Sequence, residues 1–302
     1  MSDSAPSFAD VAPQEIELKL ALTPEAADTL PCHPLLAAHA PAVQTLANTY
    51  YDTPEGTLAA ARIALRLRRM DGVILQTLKT AGHGGGGLST RSEWEWRVAD
   101  DALDLAGLAA LAPVQALGDA ALSRLAPQLR TDFTRRRYEI RYRRSVIEVA
   151  LDNGDIIAGK RRAPIRELEL ELKAGSPDAL WALADTLAES AALRPSDSSK
   201  AARGNALGKA RWPLPEAHTP AEHFHRALLA LDAWHDSGRT TFLNAARHAL
   251  AALAAASERL PQQQQPALTL CNGLGKDGQP DVAFGRAALI LARGFARGAP
   301  LS

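Results

Sequence analysis

Two cysteines in 302 residues, Cys32 and Cys271, are too few and too far apart for a disulfide framework or a metal-ligand spacing. The expectation is a reducing compartment. Charge of one sign is missing too. Lys plus Arg and Asp plus Glu are each 34, so no global field draws the chain toward DNA or a membrane surface. No stretch approaches the roughly 18 consecutive apolar residues of a transmembrane helix. The first residues, MSDSAPSFADVAP, lack a basic n-region and an apolar h-region. A cytoplasmic protein without DNA or membrane partners is therefore expected, and any attraction for an anion must be local.

What the chain has in quantity is strict alternation of charged and apolar residues. In QEIELKL, Glu15, Glu17 and Lys19 share one face of a strand, and Ile16, Leu18 and Leu20 the other. The pattern recurs. Arg66 and Arg68 alternate with Leu65 and Leu67, and Thr77 and Lys79 share a face after an Asp71-Gly72 hairpin signal. RSEWEWRV sets Arg91, Glu93, Glu95 and Arg97 opposite Trp94 and Trp96. TRRRYEIRYRR places Arg135, Arg137, Glu139, Arg141 and Arg143 on one face. SVIEVALDNG carries Glu148 and Asp152, with a turn expected at Asn153-Gly154, and IRELELELK carries Glu167, Glu169, Glu171 and Lys173.

Between the strands, Thr23 caps a short helix opened by Pro24, and Pro31, Pro34 and Pro41 break the next segment into loops. A short turn is expected at residues 58–61, and one or two crossover helices over residues 101–127. Residues 84–87 are all glycine, but a strand rather than a helix follows them, so a hairpin connection is expected instead of a phosphate cradle. Ser176 is expected as the cap of a helix opened by Pro177, and a loop then carries Lys200. Residues 1–13 read as a flexible tail, residues 14–205 as one domain, and residues 206–302 as a helical C-terminal region with a linker at residues 262–265 and a last helix over 282–297.

Two patterns in that C-terminal region are decoys. Gly273, Gly275 and Gly278 have dinucleotide-loop spacing but no surrounding βαβ unit. His223 and His225 stand two apart on a helix and point to different faces, so they are not a zinc pair.

Two geometries accommodate the charged strand faces: an open sheet with its charges in water, or a barrel with helices outside and the charges lining a lumen. The few amphipathic helices fit the second better. In a lumen, Glu15, Glu17, Asp152, Glu167 and Glu169 repel one another unless a divalent cation neutralises them, and hard oxygen ligands select Mg²⁺ or Mn²⁺. Lys19, Arg66, Arg68, Lys79, Arg135, Arg137 and Lys200 demand an anion with many oxygens. A metal-complexed polyphosphate meets both demands.

Taken in order, Glu-x-Glu-x-Lys, LRLRR, LKT, SEWEW, TRRRY, ALDNG, ELELEL and the late SK-x-x-R-G of Ser199, Lys200, Arg203 and Gly204 resemble the CYTH superfamily, the triphosphate tunnel metalloenzymes. The resemblance implies an α+β fold, an eight-stranded antiparallel β-barrel with helices packed outside. It implies hydrolysis of inorganic triphosphate (tripolyphosphate) to pyrophosphate and phosphate, or action on thiamine or RNA triphosphate, or cyclisation of ATP to cyclic AMP. A polyphosphate-binding module is the non-enzymatic alternative. Glu15, Glu17, Asp152, Glu167 and Glu169 match the family's metal ligands. Lys19, Arg66, Arg68, Lys79, Arg135, Arg137 and Lys200 match its triphosphate-binding bases, and Glu93, or Glu95 in its place, an acidic tunnel position. Glu17, Lys19 and Lys200 take the catalytic roles. A helical CHAD domain follows the tunnel in many bacterial relatives; its His-plus-arginine pattern is not found in residues 206–302, which read as a shortened or unrelated helical region.

Overall fold

The computed structural model describes residues 14–298, so the tail expected over residues 1–13 lies outside the described residues. Among the described residues, one antiparallel sheet contains β1 (Gln14–Leu22), β2 (Ala42–Asp52), β3 (Ala64–Met70), β4 (Val73–Lys79), β5 (His83–Gly85), β6 (Leu88–Val98), β7 (Ala126–Tyr142), β8 (Ser145–Ala158), β9 (Arg161–Ala174) and β10 (Leu193–Pro195). The order β1-β9-β8-β7-β2-β3-β4-β6 returns to β1, because Glu15 lies opposite Arg91 and Glu17 opposite Ser89. Eight strands thus form a closed barrel. The short β5 and β10 extend it, on β6 and β1 respectively.

The helices are α1 (Pro24–Thr29), α2 (Pro34–Ala37), α3 (Thr57–Ala60), α4 (Leu105–Ala109), α5 (Ala112–Gln115), α6 (Asp119–Leu122), α7 (Asp178–Leu187), α8 (Lys200–Lys209), α9 (Pro220–Ser237), α10 (Thr240–Ala256), α11 (Pro261–Asn272) and α12 (Val282–Gly298). Thr23 caps α1 by accepting from the Ala26 N–H at 3.1 Å, as its sequence predicts.

Apolar side chains divide into three groups, and the division explains the shape. Leu18, Leu20, Val149, Leu168 and Leu170 face outward and share one continuous core with α7, α9, α10, α11 and α12. Leu65 and Leu78 do the same on the far wall under α3 to α6. The third group, Leu46, Leu129, Phe133, Ile156 and Ile165 with Leu207 of α8, sits on the inward strand faces and fills one end of the lumen. Charges therefore line the remainder.

Several local expectations need correction. Asn153-Gly154 is no turn: β8 runs straight through it, and a Cβ on Gly154 would come within 2.2 Å of the Asp132 carbonyl oxygen. Glycine is there for close backbone approach. The actual β7–β8 turn is Arg143-Arg144, both at positive φ (46° and 62°), a geometry that arginine does not advertise. Lys200 opens α8 rather than lying in a loop, with Ser199 as its cap. Residues 262–265 belong to α11 rather than to a linker, and Pro177 caps α7 in place of Ser176. The turn at residues 58–61 is the helix α3, the proline segment folds as a 3-10 turn and α2, and residues 101–127 hold three short helices. The glycine loop is a hairpin connection between β5 and β6.

Candidate functional site

Alternation delivers the charged residues inward, and barrel closure brings them face to face. Across the β7–β8–β9 ladder, Arg135, Asp152 and Glu167 occupy one row. Asp152, Glu167 and Glu169 each offer an oxygen within 4.8 Å of the others. Lys200, projected from the first turn of α8, places Nζ 2.8 Å from Asp152, 2.6 Å from Glu167 and 2.8 Å from Glu169. Arg135 donates to both oxygens of Asp152 at 2.7 Å and also to Glu169. The ring of Phe133 closes this end, with Lys200 Nζ 5.2 Å from its centroid.

Burial alone would raise the Glu169 carboxyl and lower the Lys200 ammonium. Their mutual attraction outweighs it: with Arg135 acting alongside Lys200, Glu169 is held well below the ordinary carboxylate range, and the three carboxylates hold Lys200 well above an ordinary lysine. Three convergent carboxylate oxygens are the hard donor set that suits a divalent cation such as Mg²⁺ or Mn²⁺.

The β1 acids lie apart from this cluster. Glu15 accepts from Lys79 Nζ at 2.9 and 3.0 Å and from Arg91 Nε at 2.8 Å, while Glu17 accepts from Arg91 Nη2 at 2.8 Å. Burial pushes the Glu15 carboxyl up, but Lys79 and Arg91 override it and bring it down to about 2. Glu17 goes the other way. Burial raises it, Arg91 compensates only in part, and the negative charges of Glu169 and Glu15 add to the rise.

On the opposite wall, Lys79 bridges Glu15 to Glu93 at 2.9 Å. Arg66 Nη2 lies 3.9 Å from both Glu93 and Glu95, and Glu95 also accepts from Thr77 at 2.8 Å. Both acids thus line the lumen. Arg68 donates to Asn48 at 2.9 Å and has no ion pair among the described residues. Burial and its like-charged neighbours Arg66 and Arg135 press its guanidinium down to about 10. Lys19 is 6% exposed, stands opposite Glu169 in the β1–β9 ladder, and makes no side-chain ion pair or hydrogen bond among the described residues.

Of the residues named from sequence, Glu15, Glu17, Lys19, Arg66, Arg68, Lys79, Glu93, Arg135, Asp152, Glu167, Glu169 and Lys200 converge in the lumen. Arg137 stands at its mouth, 46% exposed and 3.2 Å from Glu148. Two further lumen residues escaped that set. Arg91 shares the strand face of Glu93 by simple alternation, and Arg203 stands in the SK-x-x-R-G motif and donates to Glu167 at 2.7 Å. The dinucleotide-like glycines fall in the loop between α11 and α12, and His225 pairs with Asp197 at 2.6 Å.

Residues 13–204 match the CYTH domain family. A curated relative, an inorganic triphosphatase from Haemophilus influenzae, is 38% identical over 203 residues, which are 66% of this chain and 56% of the relative. The chain thus spans little more than half of that protein's length. A solved Hippeastrum protein, described as an adenylyl cyclase candidate with a dominant triphosphatase activity, superposes with a TM-score of 0.50 at 22% identity. It covers 68% of this chain and all of its own, and supports the fold. By sequence match and by its closed eight-stranded tunnel, the chain belongs to the CYTH domain family.

Proposed function

We propose that the tunnel hydrolyses inorganic triphosphate to pyrophosphate and phosphate with Mg²⁺ or Mn²⁺, in the cytoplasm, with residues 14–205 as the catalytic domain and residues 206–302 as a helical companion. The observation that carries this reading is the convergent acid triad set beside cations that make no ion pair among the described residues. The buried Lys19 and the half-buried Arg68 feel acids only through space, Lys19 through Glu169 and Arg68 through Glu95, so an anionic ligand is what would answer them directly. An anion rich in oxygens does so. The triad favours metal-assisted hydrolysis over a simple anion-binding pocket, because it offers three carboxylate oxygens to a divalent cation placed between acids and phosphates.

A divalent ion held by Asp152, Glu167 and Glu169 would neutralise phosphate oxygens and acidify a bound water. The chain's own side chains do the rest. Arg68, Arg66, Lys19 and Arg135 surround the equatorial oxygens, where charge shifts as the phosphoryl group transfers. Lys79 and Lys200 hold the two acid groups apart and orient the chain of phosphates between them. Glu17, with its carboxyl raised toward neutrality, accepts a proton from the attacking water more readily than Glu15 does. The Haemophilus influenzae relative's name supports the same substrate.

Phosphate release from tripolyphosphate, ATP and thiamine triphosphate, each with Mg²⁺ and with Mn²⁺, tests the proposal. Tripolyphosphate turns over fastest. Cyclic AMP formed from ATP, with tripolyphosphate untouched, sinks it. Arg68→Met lowers kcat/KM for tripolyphosphate about 100-fold, as loss of a preorganised donor does, while Tm holds or rises.

A further inference from the structure

We infer that Asp236, on α9 and beyond the stretch that matches the family, is a positioning residue for Glu167 of the acid triad. The inference rests on the reading of Asp152, Glu167 and Glu169 as a metal site.

The link is a continuous chain of charge-assisted hydrogen bonds. Asp236 accepts from Arg203 Nε at 3.1 and 3.2 Å and from Arg203 Nη2 at 2.6 Å. Arg203 then donates through Nη1 to Glu167 Oε1 at 2.7 Å, and through Nη2 to the Pro164 carbonyl at 2.7 Å. The second oxygen of Glu167 accepts from Lys200. Every edge of the guanidinium is committed, so its planar fork has one orientation, and Glu167 inherits it. The side chains of Asp236 and Glu167 are each 1% exposed, so solvent does not screen the relay.

Charge matters as well as direction. Arg203 lies between two carboxylates, and Asp236 takes a share of its positive field. Without that share, the guanidinium would turn more fully on Glu167 and weaken it as an oxygen donor to a cation. Asp236 therefore keeps Glu167 both aimed and electron-rich.

The same helix supplies a control. Asp232, one turn earlier, accepts from Arg194 at 2.6 Å and from Ser196 at 3.3 Å, and it acts on Arg203 only through space, with no hydrogen bond between them among the described residues. Both aspartates anchor α9 to the barrel, but Asp236 alone of the two is wired to Glu167. An anchor and a positioning residue thus predict different outcomes for the two.

Mg²⁺ and Mn²⁺ binding to the full chain, measured by titration calorimetry, reads the difference without turnover. Asp236→Asn weakens binding about tenfold, the low end for a residue behind a metal ligand, and Asp236→Glu restores most of the loss. Asp232→Asn lowers Tm but weakens metal binding clearly less than Asp236→Asn, because it removes charge near Arg203 without freeing its fork. Should Asp236→Asn fail to fold by circular dichroism, Arg203→Lys replaces it: the charge stays, the fork is lost, and binding weakens likewise. Parent-like binding in a folded Asp236→Asn, or in Arg203→Lys, overturns the inference and leaves Asp236 an anchor. A parent chain that binds neither ion overturns the metal reading beneath it, a result distinct from the first.

Discussion

The lumen holds two groups of acids that look alike in sequence and differ in structure. On β8 and β9, Asp152, Glu167 and Glu169 converge on one point, and a lysine delivered by a helix meets all three. On β1, Glu15 and Glu17 share the Arg91 guanidinium of the neighbouring β6, and Glu15 also accepts from Lys79 of β4, the strand beyond it. Alternation produces both groups. What separates them is number and partner: three carboxylates meet around a lysine in the first, whereas in the second two share one arginine fork. The first group offers three oxygens that could hold a metal ion, and the second has its two acids engaged by bases in the structure as it stands.

The largest effect that bears on this contrast belongs to Glu169. Glu169→Ala removes one oxygen of the triad and a partner of both Lys200 and Arg135, and phosphate release from tripolyphosphate falls more than about 100-fold. Metal titration of the same variant shows the loss directly. Arg91→Gln is gentler. It leaves Glu15 with Lys79 but strips Glu17 of its partner, and turnover drops about tenfold with metal affinity intact. If Arg91→Gln instead adds a second bound metal ion, the β1 acids freed of their arginine form a metal site and the contrast collapses.

Much of this was legible in the strands. The inward face of every long strand follows from alternation, and the Asp71-Gly72 hairpin follows from turn chemistry, with φ of 51° and 77°. Arg91 was equally legible, sitting two residues before Glu93 on the same face. Closure was harder. The β1–β6 pairing that completes the barrel joins residues as far apart in sequence as Glu15 and Arg91, 76 positions, and nothing local specifies it. Turns without glycine or asparagine, such as Arg143-Arg144, hide for the same reason that Gly154 misleads: a glycine inside a strand marks close packing as well as a bend. Asp232 and Asp236 did carry a signal, two acids at i and i+4 on the apolar side of an otherwise amphipathic helix, but their partners lie in other elements.

The smallest effect separates Glu15 from Glu17 within the β1 pair, and it is read in stability rather than turnover. The Glu15 carboxyl, brought down to about 2 against an unfolded value near 4.5, binds fewer protons folded than unfolded in that window. Its contribution is complete above pH 4.5 and is lost as pH falls through about 2. Glu17 has the opposite sign. Raised by burial, it binds its proton more tightly in the folded chain, so its ionised form lowers stability at neutral pH, and this penalty disappears on acidification. Scanning calorimetry across this range therefore expects Glu15→Gln to lower Tm at pH 7 by a few degrees, with the deficit shrinking below pH 4.5. Glu17→Gln raises Tm slightly at pH 7 and converges on the parent chain in acid. Tm deficits of equal size and equal pH dependence in the two variants would mean that Arg91 answers both carboxylates alike. The preference for Glu17 as the proton acceptor would then lose its physical basis, since only its raised affinity for a proton distinguishes it from its neighbour two residues away.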